Sequence, residues 1–203
     1  MISVIDKVLA RIRRQGQGSC VTAKDFLDLG SRASVDHALS VLAVQGDIRR
    51  VCRGVYEHPK EGKLVPGPMP TDFDQVARAI ARSTGTRIQA TGAVAANLLG
   101  LSDQVPAKVL YLTDGLSRTI RIDSRTLQFK RVRPKELVAN EKSALVVQAL
   151  RFIGRKSLTK DVFARIRRGL APRERQRLLK DAQYTSDWIA DAARCIAKES
   201  PHG

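Results

Sequence analysis

Apolar residues near the start of the chain recur every three or four positions. Ile5, Val8, Leu9 and Ile12 share one face of the segment 3–14. This period is typical of an amphipathic α-helix, and the two closely spaced glycines that follow are expected to end it. The pattern therefore predicts a first helix whose apolar face packs into a core.

A second helix is predicted to begin at Thr22. Asp25 follows three residues later, which is the spacing of a capping box, and Val21 can pack against Phe26 across the first turn. Gly30 stands where the C-cap of such a helix is expected.

Ser31 is the expected N-cap of a third helix, which Gly46 ends. Val35, Leu39 and Leu42 form its apolar face. The side chains of its first turn are all small or polar, so this end of the helix is free of the bulk that a buried turn would carry.

Two short strands are predicted after the third helix, over residues 47–51 and 54–58, around a turn at Cys52 and Arg53 that Gly54 closes. The resulting order of helix, helix, tight turn, helix and hairpin is that of a winged helix-turn-helix. In that fold the third helix enters the major groove of DNA by its N-terminal turn, and the hairpin, called the wing, contacts phosphates. A winged helix that contacts only proteins is the alternative.

Residues 61–70 are rich in proline and glycine and are predicted to be a linker. They would separate a winged helix-turn-helix domain, residues 1–60, from a second domain, residues 71–203. The predicted fold class is α+β, with a mixed α/β second domain whose C-terminal part is helical. Its predicted elements are a helix from Asp72, a strand within 87–92, a helix over 93–101, a strand over 108–115, a hairpin over 117–132, and helices over 140–153, 157–168, 172–181 and 184–199.

The chain of 203 residues is strongly basic, with 36 Lys and Arg against 20 Asp and Glu and a net charge of +16. Such an excess favours a polyanionic partner, nucleic acid first. Residues 1–58 hold only 9 Lys and Arg against 6 Asp and Glu, so a DNA-binding head does not account for the excess. An extended basic surface is predicted in the second half, at Arg118, Arg121, Arg125, Lys130, Arg131, Arg133, Arg165, Arg168, Arg173 and Arg177; a solvated helix face is the alternative.

The three cysteines are far apart and show no metal-binding spacing, nor do the three histidines. Free thiols are typical of a reducing compartment. No signal peptide and no apolar run of membrane-spanning length is recognised. We therefore expect a cytoplasmic protein without metal or membrane association, and no motif calls for a cofactor.

Motifs of catalysis are largely missing, and no catalytic residue is assigned. Asp114 with Gln128 and Lys130 loosely resembles the D…(E/Q)xK metal site of restriction-like nucleases. The glutamine brings less charge than the carboxylate that magnesium prefers, and Asp114 with Gly115 is also a common turn. A degenerate nuclease is therefore a remote alternative.

Two segments, "VTAKDFLDLGSRASVDHALSVLAVQGDIRRVCRGVYEHP" and "ATGAVAANLLGLSDQVPAKVLYLTDG", resemble the AbiEi family of bacterial antitoxins. The resemblance runs over residues 3–153 and is most specific across 86–135. It implies a winged helix that binds repeats, expected to be inverted, in the operon's own promoter and represses it. It also implies a second domain that counteracts a cognate nucleotidyltransferase-like toxin in abortive infection, and no enzymatic activity.

The resemblance also implies which residues contact DNA. On this chain the DNA-reading elements fall on Ser31, Arg32, Ala33, Ser34 and His37 of the third helix and on Arg49, Arg50 and Arg53 of the wing. The basic second half would add DNA contacts or engage the toxin or its RNA substrate. A stand-alone winged-helix transcription regulator, with a sensing or interaction domain, is the alternative function.

Overall fold

The computed structural model describes residues 3–62, 67–103, 106–134, 137 and 140–198. Over these residues the chain is an α+β protein with eight α-helices and two small β-sheets. It forms two compact units, Met1–Arg87 with Ile120–Leu127, and Ile88–Thr119 with Gln128–Gly203. In the described part of the chain, no helix combines the length and the apolar character that crossing a bilayer requires.

The first unit contains a three-stranded antiparallel sheet of order β1-β3-β2. Its elements are α1 (Val4–Gln15), β1 (Cys20–Val21), a 3₁₀ helix (Ala23–Phe26), α2 (Arg32–Gln45), β2 (Arg49–Cys52), β3 (Val55–Glu57) and α3 (Phe73–Thr84). The predicted first and third helices and the predicted hairpin are thereby confirmed as elements.

One apolar cluster holds α1, the 3₁₀ helix and α2 together. Val8 and Ile12 of α1 pack with Phe26, Val35 and further buried residues of α2, and all four are fully buried. These are the positions that the helical period assigned to the inner faces. Their burial leaves the opposite face of α2 to solvent.

The predicted second helix is shorter than expected. Only Ala23–Phe26 is helical, as a 3₁₀ turn, although Asp25 does accept the capping-box bond from the Thr22 N–H (2.7 Å). In a continuing α-helix the Leu29 N–H would bond to the Asp25 carbonyl; here it bonds to the Phe26 carbonyl (2.9 Å), and the Asp25 carbonyl accepts from Arg11 Nη1 (3.1 Å). The helix ends after one turn.

The four-stranded sheet has the order β4-β5-β7-β6. Its strands are β4 (Ile88–Ala90), β5 (Lys108–Thr113), β6 (Arg118–Ile122) and β7 (Arg125–Arg131). The predicted hairpin is confirmed, and Asp123 in its turn has a positive φ of 52°, a conformation that aspartate tolerates better than most residues.

The second unit also contains helices, in agreement with the predicted helical C-terminal part. They are α4 (Gly92–Leu98), α5 (Glu141–Ile153), a 3₁₀ turn (Arg155–Ser157), α6 (Lys160–Arg168), α7 (Pro172–Ala182) and α8 (Asp187–Ala197). Leu150, Ile166, Leu178 and Ile196, one from each of α5 to α8, are at most 1% exposed in a common core. Trp188 packs against that core, as an isolated indole usually does.

The division into units differs from the predicted division at residues 61–70. Helix α3 packs on β1 and β3, and Arg82 Nη2 donates to the Cys20 carbonyl (2.9 Å). Within the predicted linker the Gly62 N–H donates to the Gly67 carbonyl (3.0 Å); residues 63–66 lie outside the described residues. The contacts of α3 carry the first unit on to Arg87.

Candidate nucleic-acid interface

The first turn of α2 is exposed and capped by its own serines. Ser31 is the N-cap, and its Oγ accepts from the Ser34 N–H (3.2 Å) and lies 2.8 Å from Ser34 Oγ. Ala33 beside them is also exposed. The cap satisfies a backbone donor that would otherwise need water, so this helix end is formed before any partner arrives.

Arg32 and His37 of α2 are both exposed to solvent. Arg32 Nε donates to Asp36 Oδ2 at 2.7 Å, and the arginine side chain stays 61% exposed. His37, one residue further on, is exposed as well. An i,i+4 pair at this exposure contributes only a few tenths of a kcal/mol, so Arg32 is held loosely enough to move to a ligand.

The hairpin that follows α2 presents two of its three arginines to solvent. Arg50 in β2 and Arg53 in the turn are exposed, and Gly54 takes a positive φ of 77° that closes the turn. These two side chains are placed where a phosphate could reach them.

Arg49, the third arginine, is bound within the fold. Its Nη2 lies 2.5 Å from Glu57 Oε2 and 2.8 Å from Thr71 Oγ1, and it also donates to the Met69 carbonyl (3.2 Å). Thr71 Oγ1 in turn donates to Glu57 (3.0 Å). Nothing in the sequence distinguishes Arg49 from Arg50. Arg49 is structural because Glu57 lies opposite it in the sheet.

The arginines of the β6–β7 hairpin divide in the same way. Arg118 lies over the Phe129 ring, 5.6 Å from its centroid, and Arg125 over the Phe73 ring at 4.2 Å. Such cation–π contacts anchor both half-buried side chains. The basic residues that the structure leaves exposed on these strands and just after them are Arg121, Lys130, Arg131 and Arg133.

Helices α6 and α7 carry the exposed arginines predicted for them, namely Arg165, Arg168, Arg173 and Arg177. Arg167 differs, because its Nε and Nη2 donate to the carbonyls of Ile196 and Cys195 (2.9 and 2.6 Å). It thereby caps the last turn of α8, a structural use of a basic side chain.

The described residues form no metal site, and their cysteines are not paired. No group of three or more His, Cys, Asp or Glu side chains there is placed to hold a metal ion. The three cysteines are free thiols. Burial, with the nearby charge of Glu57, raises the pKa of the Cys20 thiol to about 12, and burial also raises the pKa of Cys52.

Residues 7–178 match a protein family described as a family of unknown function, DUF6088. The chain belongs to this family. No curated protein matches the chain significantly. Among solved structures, the RV2827C protein from Mycobacterium tuberculosis is similar at 16% identity and a TM-score of 0.41, with 96% of this chain and 76% of that chain covered; no inference rests on so weak a likeness.

Membership of DUF6088 assigns no activity. The resemblance to the AbiEi antitoxins therefore stays a prediction, as do the DNA-contacting roles. The structure revises the set of residues available for contact: Ser31, Arg32, Ala33, Ser34, His37, Arg50 and Arg53 are exposed, whereas Arg49 is committed to Glu57.

Proposed function

We propose that this protein is the antitoxin of a bacterial toxin–antitoxin pair. It counteracts a nucleotidyltransferase-like toxin and represses its own operon by binding repeats in the promoter. α1, the 3₁₀ helix, α2 and the β2–β3 hairpin serve as the winged helix-turn-helix of this proposal. Binding of the promoter places the protein in the bacterial cytoplasm under this proposal.

The observation that carries the DNA-binding part is the exposed first turn of α2. Ser31 and Ser34 satisfy the helix end among themselves, Ala33 adds no bulk, and Arg32 projects with most of its surface exposed. Small side chains let a helix approach base edges, and arginine is the commonest reader of guanine in the major groove. Arg50 and Arg53 supply the phosphate contacts that fix the helix in register.

The antitoxin part is supported by the resemblance of residues 3–153 to the AbiEi family. Most of the excess positive charge lies outside the segment proposed to bind DNA. Such charge suits a partner with acidic or phosphorylated surfaces. The protein is proposed to act as a binding protein, without a catalytic centre of its own.

Promoter binding is tested by a mobility-shift titration of the region upstream of the gene. We expect Arg32→Ala to weaken binding by about 1–3 kcal/mol and to relax sequence preference, as the loss of a base contact does. Arg53→Ala should weaken binding to all sequences and reduce the slope of log K against log salt by about 1. Arg14→Ala, an exposed arginine of α1, is the matched control. Equal affinity of all four proteins would refute the assignment.

Neutralisation is tested by co-expression with the neighbouring nucleotidyltransferase-like gene. Expression of that gene alone should arrest growth, and co-expression of this protein should restore it. Absence of such a neighbour, or arrest that this protein does not relieve, would reject the antitoxin function and leave the DNA-binding proposal standing.

A polar groove in the first unit favours the stand-alone regulator as a second candidate. The groove, of about 360 Å³, is lined by Gln15, Gln17, Lys60, Asp72 and Gln75, with Glu57 at its wall. Glu57 also pairs with Arg49 of the hairpin. A polar ligand that contacts Glu57 in the groove would therefore be linked to the proposed wing through this ion pair. A metabolite that raises the melting temperature and changes promoter affinity would support this candidate.

A further inference from the structure

Helix α7 lines a basic groove in the second unit. The groove has a volume of about 450 Å³, and Arg173, Arg175, Arg177 and Lys180 line it together with Gln176 and Ala197. No carboxylate belongs to the described lining. A concave surface with four cations and no acid is suited to an anion that carries several charges.

Three of these cations form a stripe along the helix. Arg173, Arg177 and Lys180 are spaced at i, i+4 and i+7, which places them on one face, and all three are exposed. At a rise of about 1.5 Å per residue the stripe is about 10 Å long. It therefore presents a line of charge.

An exposed aromatic residue follows this stripe in the sequence. Tyr184 comes four residues after Lys180, in the turn after α7, and Gln183 before it keeps helical backbone angles (φ −60°, ψ −22°). Tyr184 is 86% exposed. A phenol ring left in water four residues beyond the last cation of the groove offers a flat apolar surface for stacking.

The acids nearest the stripe offset its charge only in part. Glu174 accepts the Ala171 N–H (2.7 Å) at the start of α7. Asp181 accepts from Arg177 Nε (3.2 Å), and the Arg177 side chain remains 52% exposed. Like charges at helical spacing repel by a few tenths of a kcal/mol per pair, and a polyanion in the groove would relieve that repulsion.

We propose that the α7 groove binds single-stranded nucleic acid. Arg173, Arg177 and Lys180 contact successive phosphates, and Tyr184 stacks on an unpaired base. Charged grooves with stacking aromatics are the usual means of binding single strands. In a duplex the bases already stack on each other, so the tyrosine would gain no partner there. The site is separate from the proposed promoter contacts of α2 and acts whether or not those contacts exist.

The test is a fluorescence-anisotropy titration of the full chain with labelled oligouridylate, oligothymidylate and a random DNA duplex. Replacing Arg173, Arg177 and Lys180 by glutamine should reduce the slope of log K against log salt for the single strands by about 2. Tyr184→Ala should weaken single-strand binding about 5- to 150-fold, the range that a stacked base contributes, while Tyr184→Phe should retain it.

Matched controls separate this site from bulk charge and from the first unit. Glutamine at Arg155, Lys156 and Lys160, three exposed cations of the same unit, gives the same change in net charge and should leave the slope unchanged. Arg32→Ala with Arg53→Ala should lower duplex binding only. Circular dichroism verifies that each variant is folded.

Two results would overturn the proposal. If both triple variants weaken binding equally, the stripe is merely part of a diffuse basic surface. If Tyr184→Ala binds as the parent does, or if the duplex competes as well as the single strands and with the same sensitivity to the stripe, single-strand recognition is ruled out.

Discussion

Arg49 and Glu57 face each other across neighbouring strands β2 and β3, with Arg49 Nε and Nη2 at 3.1 and 2.5 Å from Glu57 Oε2. The glutamate side chain is 3% exposed and the arginine side chain 35%. The pair therefore joins a buried carboxylate to a guanidinium at the surface. Arg50 and Arg53, on the same hairpin, are exposed.

Arg49→Ala should destabilise the fold. The change leaves the buried Glu57 carboxylate with only the Thr71 hydroxyl as a described donor. Removing one partner of a buried pair costs about 3–5 kcal/mol, and we expect about 2–3 kcal/mol here because water reaches Arg49. The measurement is urea unfolding followed by circular dichroism.

Arg53→Ala is the control for that measurement and should change stability by less than about 0.5 kcal/mol. The double change Arg49→Met with Glu57→Leu should recover most of the stability that Arg49→Ala loses, since an apolar pair leaves no buried charge. Equal stability of the Arg49 and Arg53 variants would show that the pair contributes nothing to the fold.

Repression and neutralisation should be separable in the full chain. Arg32→Ala combined with Arg53→Ala changes two exposed side chains of the first unit, so the fold should persist while promoter contacts are lost. A reporter fused to the promoter should be derepressed, and growth in the presence of the toxin should continue. Loss of protection by this folded variant would mean that neutralisation also requires the DNA-contacting surface.

Gly92 at the start of α4 is expected to tolerate no side chain. A Cβ there would lie 2.9 Å from Phe152 Cβ and 3.2 Å from the Phe152 ring on α5. Overpacking of this kind costs about 1–3 kcal/mol, so Gly92→Ala should lower the melting temperature. Phe152→Ala should rescue only the share of the loss that the ring causes, because its Cβ, the nearer contact, remains. A Gly92→Ala protein as stable as the parent would contradict the observed packing of α4 on α5.

Cys20 should be the least reactive thiol. With its pKa near 12 and 2% exposure it should react with a disulfide reagent only after unfolding, whereas the exposed Cys195 should react at once. The stability contributed by this thiol depends on pH. The unfolded thiol ionises with its ordinary pKa of 9.0, while the folded thiol, whose pKa is about 12, stays neutral over that range. Its contribution to the free energy of unfolding is therefore full below pH 9 and declines as the pH rises towards 12.

That decline is measured as the difference between the parent and Cys20→Ala across the same pH range, which removes the titration of other groups. A constant difference, or labelling of Cys20 at the rate of Cys195 in the folded protein, would contradict the burial of β1.

The sequence by itself determined the elements whose signal is local. The helical period of α1, α2 and α5 to α8, the glycine that ends α2 and the hairpin turns at Gly54 and Asp123 all depend on residues a few positions apart. Period and turn chemistry act within one element, so they are legible without knowing its neighbours. The exposed first turn of α2 was predictable for the same reason.

Only the tertiary structure decided which elements and side chains meet. Arg11 of α1 donates to the Asp25 carbonyl of the short second helix, α3 joins the first unit through β1 and β3, and Arg49 is paired while Arg53 is exposed. The spacing of the apolar residues shows which face of an element is buried, but it does not identify the element against which that face packs. A basic side chain becomes structural or available according to the acid or ring that folding brings beside it, often from a distant part of the chain.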